Sequence, residues 1–281
     1  MAIDVGGTKM AAGLVTGEGN VVTSAISPTP AGDDAESLFS VVLALVDSVG
    51  GDGEPEVCGV GCGGPMKAHG EAVSPLNIPA WRDFPLRRRL AEATGLPTYV
   101  DNDAKALALG EGWRGVAAGE ENFIAMVVST GVGGGIVLDG RLLHGAAGNA
   151  GHIGHVVVVP DGRVCVCGGR GCLEAEASGL AIAAVTGRPA DEADAAVVER
   201  TGTLVGLAVA SVANLLDLRL AVVAGSVALG FGPPFFRAAQ SELDARARLA
   251  FSAGARIVPA GLGDRGPLVG AAAVGWRGLR E

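Results

Sequence analysis

Apolar residues in the first half of the chain alternate between short continuous runs and longer segments with helical spacing. Residues 1–23 are typical of a short strand, a glycine-rich turn and a returning strand. Helical spacing follows over 37–49, and the apolar run 57–63 is typical of a short buried strand. A helix, a Gly-Leu-Pro turn, a strand over 98–100 and a helix that begins at Asp103 come next. This alternation predicts an α/β half.

The second half opens with the same succession of strand and turn as the first. A strand over 122–129 is followed by a glycine-rich turn at 131–135 and by another strand at 136–138. Helical and strand patterns then alternate to the end of the chain. We therefore expect an α/β fold made of two related domains. The later helical segments are 180–185, 202–216 and 266–277, with a strand over 220–223.

The length of the chain supports two domains, because 281 residues exceed the usual size of one domain. The repeated turn predicts a small N-terminal α/β domain over 1–110 and a larger C-terminal α/β domain over 111–265. A last helix, at about 266–281, is expected to pack back on the first domain. With 49% hydrophobic residues, 46 glycines and 7 phenylalanines, the composition indicates a globular protein with many tight turns.

Charge and hydropathy exclude several classes of partner. A net charge of −9 gives no basic surface for nucleic acid or anionic lipids. Ser211, Asn214 and Asp217 interrupt the most apolar stretch, so no run reaches the roughly 18–20 residues of a membrane helix. The opening MAIDVGGTK lacks the basic segment and apolar core of a signal peptide. We expect a cytoplasmic protein that binds neither nucleic acid nor membrane.

Two glycine-rich turns, each directly after a strand, are candidate phosphate sites. Glycines let backbone N–H groups approach a phosphate, and a neighbouring Asp can hold hydrated Mg²⁺. Either turn alone could be an ordinary hairpin, but the pair favours phosphate binding. The first turn contains Gly6, Gly7, Thr8 and Lys9, preceded by Asp4, and the second contains Ser129, Thr130 and Gly131 followed by Gly133, Gly134 and Gly135.

Neither turn matches the common nucleotide-binding motifs. The GxxxxGK[ST] loop of P-loop proteins is absent, and neither turn is a spaced GxGxxG that opens a long helix. A dinucleotide-dependent dehydrogenase is therefore disfavoured. The paired turns resemble those of the sugar kinase, actin and heat-shock ATPase superfamily, whose members carry them on two related domains. This resemblance implies ATP as the nucleotide.

A carboxylate at the start of a helix is the candidate catalytic base. In the segment VDNDAKALALGE, Asp101, Asn102 and Asp103 follow a strand, and the helix N-terminus favours an ionised carboxylate there. In a sugar kinase, Asp103 would accept the proton of the attacking hydroxyl while Asn102 binds the sugar. The alternative is an ordinary helix cap, which the segment alone does not exclude.

A histidine and three cysteines are close together in the sequence HVVVVPDGRVCVCGGRGCLE. His155, Cys165, Cys167 and Cys172 are enough for a closed tetrahedral zinc site, and the glycine turns would bring Cys172 to the same ion. Zinc would then be structural, because no ligand position is left for water. The alternative is three buried cysteines and a core histidine. Cys58 and Cys62 lie in or beside a predicted buried strand, where core packing is expected.

This cluster and the preceding GAAGNAGHIGH closely resemble the signature of the ROK family and its CxCGxxGCxE zinc motif. With DVGGTK, DND and STGVGGG, the resemblance runs over nearly the whole chain. It implies two actin-like (ribonuclease H-like) domains, ATP, Mg²⁺, structural zinc, a sugar substrate and a homodimer. By motif position it makes Asp103 the catalytic base, and Asn102, His155 and Glu174 the sugar contacts.

One departure from the family pattern bears on the sugar. The common motif is ExGH, whereas this chain has His152 in place of the glutamate. An ionised glutamate only accepts hydrogen bonds, while a histidine can donate one and accept another. HxGH resembles the variant found in bacterial N-acetylmannosamine kinases. A glucokinase that tolerates His152 is the alternative, so the identity of the sugar stays open.

Two further segments resemble ligand-binding parts of the family. SPLNIPAW resembles a loop that closes over sugar, which makes Asn77 a candidate contact and leaves Trp81 a packing residue. VVAGSVALGFG resembles the adenosine-binding turn, with Gly225 and Ser226 as candidates. A strand-to-helix loop without a ligand is the alternative for this turn.

Three other functions compete with that of a kinase. ROK transcriptional repressors carry an N-terminal helix-turn-helix, whereas here the phosphate turn begins at Asp4 and the charge is acidic. A silent sugar-binding protein would lack the base or a phosphate turn, yet both are present. Polyphosphate in place of ATP would use the same turns, and only the adenosine turn favours ATP.

Overall fold

The protein forms two compact units, which we describe separately. The computed structural model describes residues 1–32, 34–50 and 53–280. Unit 1 contains Met1–Gly119, His144–Ala150 and the described residues from Gly261 onward. Unit 2 contains Glu120–Leu143 and Gly151–Ala260. The chain therefore passes between the units several times.

Ten strands in the described part of the chain form two sheets. They are β1 (Ala2–Val5), β2 (Lys9–Val15), β3 (Val21–Pro28), β4 (Cys58–Cys62), β5 (Thr98–Asn102), β6 (Phe123–Val128), β7 (Val132–Leu138), β8 (Arg141–Leu142), β9 (Leu220–Ala224) and β10 (Arg256–Pro259). The α-helices described there are α1 (Ala35–Val49), α2 (Leu86–Thr94), α3 (Asp103–Arg114), α4 (Leu173–Ala177), α5 (Gly179–Thr186), α6 (Ala195–Leu216), α7 (Ser226–Phe231), α8 (Pro233–Arg246) and α9 (Gly266–Gly278). Short 3₁₀ turns cover Ala68–Gly70, Ile153–His155, Ala190–Glu192 and Gly263–Arg265.

The two sheets share one topology. In unit 1 the order is β3-β2-β1-β4-β5, with β1 antiparallel to β2, β2 antiparallel to β3, and β4 parallel to both β1 and β5. In unit 2 the order β8-β7-β6-β9-β10 repeats this arrangement of three antiparallel strands followed by two parallel ones. The repeated strand and turn in the sequence thus correspond to a repeated sheet.

Side-chain caps begin several helices where the sequence changes from strand or loop. The Asp34 carboxylate accepts hydrogen bonds from the backbone N–H groups of Glu36 and Ser37 at the start of α1. Asn102 caps α3 in the same way through the N–H of Ala104. Because these caps follow directly on a strand or loop, they fix where each helix leaves its sheet.

Each unit has its own apolar core. In unit 1 the core lies between the sheet and α1, and Trp81, which is fully buried, stacks on Phe84 with ring centroids 4.4 Å apart. Trp81 therefore packs, as expected. On the other face, α9 packs against α3, β1 and β4. In unit 2 the core lies between the sheet and α6, which packs on α8.

Helix α6 is long and apolar enough to cross a membrane by length and composition alone, so the expectation that no stretch reaches this length is not met. Core helices of folded proteins meet the same criterion. Ten of its residues are buried, from Thr201 to Ala213, and it packs closely on α8 within unit 2. We interpret it as the core helix of this unit.

Several predicted boundaries differ from the structure. The expected division at residue 110 falls inside α3, and unit 1 continues to Gly119. The predicted strand over 98–100 extends to Asn102 because its last residues pair with β4. The edge strand β3, whose residues alternate between half-buried and exposed, was missed because it lacks a continuous apolar run. Helix α9 ends at Gly278, and Glu281 lies outside the described residues.

Candidate active site and metal centre

Two carboxylates meet at one edge of the sheet in unit 1. Asp4 on β1 pairs with Gly61 on β4, and Gly61 pairs with Asp101 on β5. Asp103 comes two residues after Asp101, where β5 has ended and α3 begins. Gly61 lies between the two residues, because a Cβ there would be in ordinary contact with both, 3.6 Å from Asp4 Oδ1 and 3.7 Å from Asp103 Cα. The carboxyl ends of parallel strands are the usual place for ligands in such sheets.

The surroundings of Asp4 disfavour its charge. Burial, and after it the Asp103 carboxylate, raise the pKa of Asp4 from 3.8 to about 7, while Lys9 acts in the opposite direction. Two like charges held together in a partly dry site attract a cation. The donor set therefore fits the hydrated Mg²⁺ expected from the sequence.

Backbone hydrogen bonds shape the first phosphate turn. The Gly6 N–H donates to Lys9 O over 3.0 Å, and the Thr29 hydroxyl donates to Gly6 O over 2.7 Å. Asn77 lies directly over the turn, because a Cβ on Gly7 would come within 2.4 Å of Asn77 Cβ. Gly7 is thus needed for this close approach. The structure brings the predicted sugar contact Asn77 to the predicted phosphate turn.

The Asn102 and Asp103 side chains both accept the Ala104 N–H in the first turn of α3. The Ala104 N–H donates to Asn102 Oδ1 over 3.0 Å and to Asp103 Oδ1 over 2.8 Å. The Asn102 side-chain nitrogen lies 3.1 Å from the position of a Cβ on Gly64. The cap that the sequence left as an alternative is therefore present, and a helix N-terminus also stabilises an ionised carboxylate at Asp103.

The second phosphate turn lies in unit 2 and is shorter than predicted. It comprises Ser129–Gly131, with the Ser129 N–H donating to Gly131 O over 2.9 Å. Gly133 and Gly134, which the sequence placed in the turn, lie inside β7 and pair with Val127 and Met126. The small size of Gly134 serves packing, because a Cβ there would lie 2.9 Å from Gly151 O.

The predicted adenosine turn adjoins this second turn. Ser226 Oγ lies 2.9 Å from Ser129 Oγ, at the parallel ends of β6 and β9. Gly225 has a φ of 102°, and a Cβ there would lie 2.2 Å from Val128 O. The structure thus brings Gly225, Ser226 and the Ser129–Gly131 turn together within unit 2.

The four predicted metal ligands converge. The ligand atoms of His155, Cys165, Cys167 and Cys172 all lie within 4.8 Å of one another. Cys165 Sγ is 3.6 Å from His155 Nδ1, and Cys167 Sγ is 3.8 Å from Cys172 Sγ.

These spacings fit one tetrahedral zinc ion. Zn–S bonds of about 2.3 Å and Zn–N bonds of about 2.0 Å place two sulfurs about 3.8 Å apart and a sulfur and a nitrogen about 3.6 Å apart. A disulfide would need sulfurs about 2.0 Å apart, which these thiols do not show. Burial raises the pKa of Cys165 and Cys172, which disfavours their thiolates. A bound cation would stabilise the thiolates and so oppose this effect.

His155 has two ring nitrogens, and Nδ1 lies 3.6 Å from the Cys165 sulfur. Nδ1 faces the thiols, which leaves Nε2 for a second contact. The His152 ring stacks on the His155 ring with centroids 5.9 Å apart and an interplanar angle of 18°. His152, which departs from the family motif, therefore lies beside His155, one of the four candidate metal ligands.

A buried glutamate that the sequence analysis did not identify, Glu176, binds the segment just before Cys165. Glu176 is 5% exposed, accepts the backbone N–H of Arg163 over 2.8 Å and bonds Arg200 over 2.6 Å. Its position in EAEAS carried no distinguishing signal. Through Arg163, Glu176 fixes the loop that leads to the cysteines.

The predicted sugar contact Glu174 is hydrogen-bonded at the second phosphate turn. Its Oε2 accepts the Val132 N–H over 2.9 Å and would lie 2.8 Å from a Cβ on Gly131. One carboxylate oxygen of Glu174 is thus hydrogen-bonded at this turn. The segment from Cys172 to Glu174 links the four candidate metal ligands to the turn.

Comparisons with known proteins agree with this geometry. A family model described as ROK family matches residues 1–276. The chain belongs to the ROK family. A glucokinase of Halalkalibacterium halodurans is 33% identical over 98% of this chain and 93% of its own length. An N-acetylmannosamine kinase of Escherichia fergusonii is 36% identical over 83% of this chain and 84% of its own length.

A solved structure of another ROK member has the same fold. The ROK family glucokinase from Streptomyces griseus, in complex with glucose and AMPPNP, matches with a TM-score of 0.85 at 30% identity, covering 98% of both chains. The predicted α/β fold of two actin-like units is confirmed by this likeness and by the repeated sheets. The family resemblance seen in the motifs is confirmed as well.

Proposed function

We propose that this ROK protein is an ATP-dependent sugar kinase that transfers the γ-phosphate to the 6-hydroxyl of a hexose or N-acetylhexosamine. The observation that carries the proposal is the position of Asp103. It begins α3 at the carboxyl edge of the unit 1 sheet and lies close to Asp4 across Gly61. The related glucokinases and N-acetylmannosamine kinases support the same reaction class.

Asp103 would act as the general base. As the sugar oxygen attacks the γ-phosphorus, Asp103 accepts the hydroxyl proton, and ADP leaves. The N-terminus of α3 favours the ionised form that this step needs. Asp4 would hold a water of Mg²⁺, which, when bound, neutralises charge on the transferring phosphoryl group.

The remaining predicted residues divide between sugar and nucleotide. Glycine turns offer backbone N–H groups to phosphate oxygens, and amide, imidazole and carboxylate groups match sugar hydroxyls. We leave Gly133 and Gly134 out of the nucleotide set because both are paired in β7. The proposed sugar contacts are Asn77, Asn102, His152, His155 and Glu174, and the proposed nucleotide contacts are Gly6, Gly7, Thr8, Lys9, Thr130, Gly131, Gly225 and Ser226.

We assign structural zinc to His155, Cys165, Cys167 and Cys172, on the sulfur and nitrogen spacings given above. Bound zinc would order the loop that ends at Glu174. The ion would thereby hold one sugar contact, His155, and one turn contact, Glu174, in fixed positions. A homodimer and a cytoplasmic location complete the proposal on family resemblance.

His152 favours N-acetylmannosamine as the substrate, with glucose as the second candidate. The specific support is that His152 stands in the sequence where the common motif has a carboxylate, and that its ring stacks on the ring of His155. An imidazole can donate a hydrogen bond to an acceptor such as an amide carbonyl, which a carboxylate cannot do.

The test is ADP release with Mg²⁺-ATP against glucose, mannose, fructose, N-acetylglucosamine and N-acetylmannosamine. We expect the highest kcat/KM for N-acetylmannosamine, and we expect His152→Glu to move the preference towards glucose. His69→Gln, a change at an exposed histidine in unit 1, serves as the matched control. Glucose preference in the unchanged protein would refute the role of His152. Turnover of none of the five sugars, with ATP or with polyphosphate, would refute the kinase.

A further inference from the structure

Helix α3 carries two buried charged side chains that the proposed reaction does not use. Lys105 is 1% exposed and Glu111 is fully buried. Burying a charge is costly unless hydrogen bonds or an opposite charge compensate. We therefore ask which groups compensate the burial of these two side chains.

Glu111 binds the two segments at which the chain leaves unit 1 and returns to it. Its Oε2 accepts the Val116 N–H over 2.9 Å, and its Oε1 accepts the N–H groups of Gly261 and Leu262, each over 3.1 Å. Val116 lies shortly before the chain leaves unit 1 after Gly119, and Gly261 is the first residue after its return. One carboxylate thus joins the outgoing and incoming segments to α3.

Lys105 binds the remaining excursion of the chain into unit 1. Its Nζ donates to Gly148 O over 2.6 Å, and Asp101 Oδ1 lies 3.8 Å away. Gly148 belongs to His144–Ala150, a short segment of unit 1 whose neighbours on both sides in sequence belong to unit 2. Arg277 Nη2 of α9 also lies 2.8 Å from His144 Nε2, so this segment contacts unit 1 helices at two of its residues.

We infer that Lys105 and Glu111 are positioning residues that fasten the connections between the units to the helix that begins with Asp103. One of these two side chains binds each segment of unit 1 that adjoins a crossing between the units. The chain crosses from one unit to the other after Gly119, Leu143, Ala150 and Ala260. Residues at such connections change kcat and KM together when they are altered. The inference rests on the proposed kinase for its kinetic readout.

The test compares Glu111→Gln and Lys105→Met with a buried control in unit 2 that contacts neither side chain. Ser252→Ala suits this purpose, because Ser252 is fully buried in unit 2 and donates to Asn214 Oδ1 over 2.6 Å. If either first variant does not fold, Glu111→Asp takes the place of Glu111→Gln, and Lys105→Arg takes the place of Lys105→Met. Kinetics are measured at a temperature at which every variant is fully folded.

We expect Glu111→Gln to change kcat and the sugar KM together and to lower kcat/KM by about tenfold to a hundredfold. Hydrogen exchange should accelerate at 116–119 and 261–262 in this variant, and at 144–150 in Lys105→Met. Ser252→Ala should lower the unfolding temperature and leave kcat/KM and exchange in these segments unchanged.

Unchanged kcat and KM in folded Glu111 and Lys105 variants would overturn the inference. Faster exchange spread evenly over the protein would also overturn it, because both side chains would then only stabilise the fold. Failure of the wild-type protein to phosphorylate any sugar would instead refute the proposed function, and the local exchange pattern would still decide the anchoring.

Discussion

Replacing Asp4 by asparagine should stabilise the free protein at neutral and alkaline pH while removing its activity. Burial and the Asp103 carboxylate hold the pKa of Asp4 at about 7 in the folded chain, against 3.8 for the unperturbed group. The folded state therefore binds the Asp4 proton more tightly than the unfolded state does. Asp4 therefore lowers the free energy of unfolding progressively as pH rises from about 4 through about 7. Above that range the destabilisation by Asp4 is complete.

The expected size follows from the two pKa values. Their difference corresponds to about 4 kcal/mol above pH 7 if the site excludes water completely. The Asp4 side chain keeps part of its solvent contact, so screening lowers this figure, and we expect about 2 kcal/mol. Asparagine has nearly the same shape and carries no charge, so Asp4→Asn removes this cost with little change in packing.

The assay is urea unfolding of both proteins between pH 5 and pH 8, without nucleotide or Mg²⁺. The advantage of Asp4→Asn in the free energy of unfolding should grow by about 1–2 kcal/mol over this range. His155 and the three cysteines beside it are present in both proteins, so their contribution cancels in the difference. Asp47→Asn, at an exposed position on α1, is the matched control and should show no such trend.

A difference in unfolding free energy that stays constant with pH would refute this reasoning. It would mean that Asp4 is as well solvated in the fold as in the unfolded chain. A retained Mg²⁺-ATP turnover in Asp4→Asn would contradict the role of Asp4 in holding the metal, whichever way stability changes. The two readouts therefore test the electrostatics and the function separately.

The remaining predictions concern the base and the metal. Asp103→Asn should lower kcat by about 10²–10⁴-fold and leave the sugar dissociation constant within a few-fold, measured by calorimetry; retained turnover would place the base elsewhere. Metal analysis should find about one zinc per chain, and Cys167→Ser should lose it and unfold at a lower temperature. Cys58→Ala, at a buried cysteine of β4, should keep its zinc; full activity of metal-free protein would contradict a role for the ion.

Local patterns in the sequence were enough for the family, the repeated α/β plan and the cluster of one histidine and three cysteines. Each of these depends on residues close together along the chain, such as the turn after β1 or the cysteines from Cys165 to Cys172. Backbone conformation and ligand spacing over so few residues are set largely by glycines, strand propensity and side-chain chemistry. The corresponding predictions therefore needed no knowledge of long-range contacts.

Only the tertiary structure decided which distant residues meet. Asp4 and Asp103 approach each other because β4 lies between β1 and β5, an order that the sequence pattern does not state. Gly133 and Gly134 looked like turn residues, yet pairing with β6 makes them part of a strand. Glu111 looked like an ordinary helix residue, and its partners at Gly261 and Leu262 come from the other end of the chain. Sequence periodicity records whether a position is buried, but the partner of a buried polar group is set by the packing of the whole fold.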